Sequence, residues 1–146
     1  MKKILILFVG ILFLTSCGEK KESQYKNDYE ESLQVVLDEH DVLMEEMKTV
    51  SGLLQKVEPK IDDTESGEKY KLSAEKLKSA NQSMFAWMKD FSEEFSDIHD
   101  KEKTFTEEEY RERIDKLQKQ ENALEQLKKE FEESISSAEK LINNEK

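Results

Sequence analysis

One cysteine, one proline and four glycines in 146 residues leave little from which to build cross-links, tight turns or sheets. With a single thiol, Cys17, no disulfide closes within the chain. Phosphate-cradling loops need glycine, and no such loop occurs. Two histidines, His40 and His99, belong to no His-Glu zinc motif and have no Ser or Cys placed as a nucleophile beside them. Positive charge is also short: 23 Lys and Arg stand against 34 Asp and Glu, a formal net charge of -11. A surface of that sign is repelled by nucleic acid and by anionic headgroups. Neither catalysis nor nucleic-acid binding is expected, and no cofactor is called for apart from the metal considered below.

Long hydrophobic runs are nearly absent as well. Ile4 to Leu14 is apolar but for Gly10, and is shorter than the ~20 residues of a spanning helix. Lys2 and Lys3 precede it, and Leu14-Thr15-Ser16-Cys17 follows. Basic start, apolar run, small residues and Cys in that order resemble a bacterial lipoprotein signal with its lipobox. The resemblance implies cleavage before Cys17 and acyl chains on it, so that residues 1–16 are a signal peptide. The expected address is the bacterial cell membrane or outer membrane, on the exported side, with lipid on Cys17 as the membrane partner. More than one acyl chain is needed for a firm hold. Removing two lysines with the signal takes the formal charge from -11 to -13.

What the chain has in plenty is Glu, Lys, Leu and Gln, the composition of long helices or a coiled coil. Residues 17–26 are polar and small, and are expected to form a flexible tether. A first helix is predicted over about 27–58. Val36, His40, Leu43, Met47, Val50, Leu54 and Val57 step by four and three along it, and Pro59 stops it. Asp62 or Thr64 is positioned to cap a second helix over about 64–92. Its seam reads Tyr70, Ser73, Leu77, Ala80, Met84, Trp87, Phe91, small residues first and large ones last. Ser92 to Thr104 reads as an acidic loop. Thr106 and Glu109 have the spacing of a capping box, with Phe105 and Tyr110 as its staple. The third helix, about 106–143, carries Tyr110, Ile114, Leu117, Leu124, Phe131, Ile135, Ala138 and Ile142. Glu121 and Lys128 interrupt that row where the bundle thins or a partner packs. The fold class is all-α: three long helices in an antiparallel up-down-up, coiled-coil-like bundle over residues 27–146.

Acidic doublets such as Glu45-Glu46 and Glu93-Glu94 read as solvated faces, because general acid–base work needs carboxylates in a water-poor cleft. One cluster stands out. His40, Met44 and Met47 share a face of the first helix, and Met84 and Met88 flank Trp87, the only tryptophan, on the second. Reflection about Asp62 sets His40 opposite Met84, and a second reflection near residues 98 and 99 brings Tyr110 and Ile114 to the same level. Thioether and imidazole ligands suit Cu(I), and a Trp face lies well against a cation. Methionine also fills irregular cores and contacts rings, which is the plainer reading of the same residues. His99 reads as a surface residue.

The runs His40-Asp41-Val42-Leu43-Met44 and Met84-Phe85-Ala86-Trp87-Met88-Lys89-Asp90-Phe91, with the helix from Tyr110 to Ile142, resemble a group of small lipoproteins of Bacteroidetes-type bacteria. Those proteins sometimes carry the label "viral A-type inclusion protein". The resemblance implies an acidic helical domain behind a lipobox, and no settled activity. The expected function is a non-enzymatic, lipid-anchored envelope protein with a binding or structural bundle. The alternatives are a Cu(I)-binding protein using His40, Met44, Met47, Met84 and Met88, and a helical module for self-association or partner binding.

Overall fold

A computed structural model describes residues 17–100 and 102–144. The signal peptide expected at 1–16 lies outside them. Three α-helices account for most of the described chain: α1 (Cys17–Val57), α2 (Glu65–Glu94) and α3 (Glu107–Asn143). Their 41, 30 and 37 residues correspond to lengths of ~60, ~45 and ~55 Å. Among the described residues no helix is long and apolar enough to cross a membrane.

A seven-residue repeat organises the core. Tyr29, Val36, Leu43, Val50 and Val57 are buried on α1, Tyr70, Leu77, Met84 and Phe91 on α2, and Tyr110, Leu117, Leu124, Phe131 and Ala138 on α3. Such a repeat keeps one stripe of each helix facing its neighbours, as in coiled coils. The row His40, Met47, Leu54 predicted for the seam is half-buried on its flank. Tyr29 meets Tyr110 at 5.8 Å between ring centroids, near the beginning of α1 and of α3. The Tyr70 hydroxyl donates to the Leu141 carbonyl at 3.4 Å, joining the start of α2 to the end of α3. The helices therefore run up, down and up, and α1 and α3 share the most extensive contact.

The ends follow local chemistry. Beyond Val57 the chain tightens into a 3₁₀ turn over Glu58–Lys60, with Pro59 in its first positions. Thr64 caps α2, its hydroxyl accepting from the Gly67 N–H at 3.0 Å. Asp62 accepts from the Thr64 N–H at 3.0 Å, which draws it against Gly67. A Cβ on Gly67 would lie 2.0 Å from the Asp62 carboxylate and 2.3 Å from its carbonyl oxygen. Gly67 is thus a close-approach residue and not a point of fraying. At α3 both halves of the Thr106/Glu109 capping box form, and Phe105 stands edge-on to Tyr110 at 5.4 Å.

Two expectations need correction. Residues 17–26 are not a loose tether, because α1 is helical from Cys17. Glu19, Lys20, Lys21, Glu22 and Gln24 are good helix formers, and Tyr25 packs against the core to continue the bundle's side of the helix. The second correction concerns register. His40 stacks on Trp87, at 5.8 Å and 27°, three residues past the predicted Met84. Tyr110 lies level with Tyr29, ~16 Å along α1 from His40. The predicted reflection treated each connection as a symmetric hairpin. In the molecule, residues 95–99 form turns that fold over the bundle end before α3 begins.

Candidate functional site

Three places on the bundle gather chemistry-bearing side chains. The first is the His/Met/Trp cluster. Met84 is fully buried and Trp87 is 7% exposed. Met44, Met47 and Met88 are partly buried against the same core. His40 lies over the Trp87 ring, and its Nδ1 is 3.0 Å from the Asp41 carboxylate. Trp87 in turn stacks on Phe91 at 5.0 Å, and Phe91 on Phe95 at 4.9 Å. The contact that joins α1 to α2 here is therefore imidazole on indole. The Trp87 indole N–H is buried without a hydrogen-bond partner from the protein. Among the described residues no group of three or more His, Cys, Asp or Glu side chains could hold a metal ion. His99 is exposed in the turn after α2.

The second place is a clasp over the end of the bundle where α2 passes to α3. The Arg113 guanidinium lies 4.2 Å from the Phe105 ring centroid, 5.3 Å from Tyr29 and 5.4 Å from Phe95. It pairs with the Asp97 carboxylate and donates to the Tyr29 hydroxyl at 3.3 Å. Lys103 closes on Asp97 from the other side at 2.7 Å. Lys103 first, then Arg113, holds the Asp97 carboxyl below its ordinary range against the opposing effect of burial. Two residues before Arg113, Arg111 bonds to the Tyr25 hydroxyl at 2.5 Å and to Glu107 at 2.7 Å. Four elements are tied here: α1 through the tyrosines, the end of α2 through its C-cap residue Phe95, the connection through Asp97 and Lys103, and α3 through the arginines.

The third place is a groove between α1 and α3, on the side away from α2. Glu39, Val42, Leu43, Leu124, Glu125 and Lys128 line a cavity of about 120 Å³. Leu43 and Leu124 form its buried floor, whereas Val42 is 55% exposed and Val35, one heptad before it, is 38% exposed. Of the two α3 residues that broke the predicted seam, Lys128 lines this groove and Glu121 lies near enough to repel Glu39. Burial first, then repulsion from Glu121 and Glu125, lifts the Glu39 carboxyl above its ordinary range, and Lys128 only partly offsets the repulsion.

The His40–Trp87 proximity was legible in the sequence to within one helical turn, whereas the clasp was missed. Its signal was there: Tyr25 and Tyr29 are one turn apart, and Arg111 and Arg113 open a helix whose first turn is acidic. The groove was half seen, through Glu121 and Lys128. The doublets Val35-Val36 and Leu37, and Val42-Leu43 and Met44, make the apolar stripe of α1 wider than two neighbours can cover.

Compared with protein-family models, with curated proteins and with solved structures, the chain matches none.

Proposed function

We propose that the chain is a lipoprotein of the bacterial cell envelope, held to a membrane by acyl chains on Cys17, whose acidic helical bundle works by binding or spacing and not by catalysis. The observation that carries this reading is Leu14-Thr15-Ser16-Cys17 behind Lys2, Lys3 and an apolar run. The described part of α1 includes Cys17 and runs without a break into the bundle. An anchor placed there would be coupled to the domain by helix, and the clasp end would face the membrane. The resemblance to small Bacteroidetes-type lipoproteins points the same way. The net negative charge suits a domain that stands off anionic headgroups. The test is metabolic labelling with a palmitate analogue in a bacterial host. Wild-type chain should take up label and lose its signal, and Cys17→Ser should do neither. An unlabelled wild-type chain would overturn the reading.

A second reading, Cu(I) binding by His40 with Met44, Met47, Met84 and Met88, is favoured by the stack of His40 on Trp87. The donor types are right for a soft ion. Anaerobic Cu(I) titration followed by Trp87 fluorescence tests it. Quenching that His40→Ala abolishes would support the site, and no binding tighter than micromolar would dismiss it.

A further inference from the structure

We propose that the groove between α1 and α3 is a docking site for a basic amphipathic helix. One large apolar side chain of that helix would seat against Val42, Leu43 and Leu124, with Lys or Arg on either flank facing Glu39, Glu121 and Glu125. The proposal rests on the reading of the bundle as a binding module and supplies the chemistry of its partner.

Shape is the first argument. The groove's volume of about 120 Å³ is comparable with the roughly 150 Å³ that accommodates a benzene ring in a protein interior. Its floor is apolar and its mouth is open. Val35 and Val42 continue the apolar track outside the core, seven residues apart, so the track runs ~10 Å along the helix axis. Anchors at such i, i+7 spacing are how a groove receives a helix.

Charge is the second argument, and it decides the occupant. Around Glu39 stand Glu121, Glu125 and a single lysine, Lys128. Some surface carboxylates have close cations: Glu45 has Lys48 at 2.5 Å, Glu65 has Lys69 at 2.9 Å, and Glu58 has Lys78 at 2.7 Å. Glu125 does have Lys129 at 2.8 Å, but no ion pair holds Glu39 or Glu121 among the described residues. An apolar track bordered by two carboxylates without ion pairs, Glu39 and Glu121, selects a positively charged partner. A second copy of this chain is a poor occupant, because it would bring its own net charge of -11 to an acidic face.

The experiment uses the full chain in nanodiscs of zwitterionic lipid, with empty discs as the blank. The probe is a fluorescein-labelled 18-residue amphipathic peptide of Leu and Lys, read by anisotropy. A version with Glu for Lys tests the charge, and one with Ala for Leu tests the apolar contact. Wild type should bind the Leu/Lys peptide and neither control. The double variant Glu39→Lys/Glu125→Lys should weaken binding by at least about tenfold, the effect of a 1.4 kcal/mol loss. Val42→Ser, an exposed and conservative change, should weaken it several-fold. Binding by the double variant within twofold of wild type would overturn the proposal. Equal binding of the Ala-for-Leu peptide would also overturn it, by showing attraction without a groove. So would a dimer in sedimentation that Val42→Ser dissolves, which would give the face to a second copy. Acyl labelling of Cys17 is read separately, so loss of the anchor and loss of docking are distinguishable.

Discussion

The clasp and the groove both bring α1 and α3 together and handle charge in opposite ways. At the clasp, Arg113 is surrounded by three rings and a carboxylate, and both charges are partly buried together. At the groove, carboxylates crowd one another beside exposed valines with one lysine between them. A charge that is boxed in with its counter-ion fixes geometry, because removing either partner leaves the other in a poor solvent. A charge left in excess at an apolar edge costs the isolated fold a little and becomes useful only when something arrives to neutralise it. The clasp therefore belongs to stability, and the groove to recognition.

The largest test of that division is Arg113→Ala. It should lower the unfolding free energy by about 2 kcal/mol in urea titrations, less than the about 3–5 kcal/mol of a fully buried pair because both partners keep some water contact. Arg113→Lys should recover only part, since the ammonium cannot lie flat against Phe105 while holding Asp97 and Tyr29. A loss under about 0.5 kcal/mol, the range of ordinary surface changes, would erase the contrast.

Asp97→Asn comes next, at about 1 kcal/mol, with a defined pH dependence. The Asp97 carboxyl is lowered in the fold. Its contribution is therefore complete above the ordinary carboxylate range and disappears as pH falls through the folded value. The gap between wild type and Asp97→Asn should begin to narrow near about pH 4, the unfolded carboxylate value, and close only below the lowered folded value.

The smallest effect carries the opposite sign. Glu39 is raised in the fold, so its ionised form works against folding at neutral pH and the penalty is relieved as pH falls through the raised value. Glu39→Gln should stabilise the chain by at most about 0.5 kcal/mol at pH 7, with the gain vanishing in acid. Destabilisation by Glu39→Gln at neutral pH would show that the groove is a paired site like the clasp.

Much of this architecture could be read from residues alone, and the parts that could not share a cause. Three helices, the Pro59 stop, the Thr64 cap and the Thr106/Glu109 box are local features, set by residues within a turn of one another. The core stripe is nearly local, because a seven-residue repeat declares its own face. Register between helices is not local. Between α2 and α3 it depends on how residues 95–106 fold over the bundle end, where Arg113 reaches Asp97 and Phe105 from α3. Helix α1 also reached back past Lys26, where polarity suggested a tether, because Tyr25 finds Arg111 far along the chain. The His40–Trp87 contact was missed by three residues because the α1–α2 connection, a 3₁₀ turn over Glu58–Lys60 followed by the Asp62–Thr64 bend, is not a symmetric hairpin centred on Asp62. At the groove the polar residues Glu121 and Lys128 were visible as breaks in a pattern, but only the fold shows that both face Glu39 and that Lys128 lines the groove with Val42.

Amide chemical shifts recorded on addition of the Leu/Lys peptide would test the central contrast most directly. The account predicts shifts along residues 35–46 of α1 and 121–128 of α3, with residues 95–113 at the clasp unmoved. Shifts concentrated on the clasp, or spread evenly over the acidic surface, would contradict it.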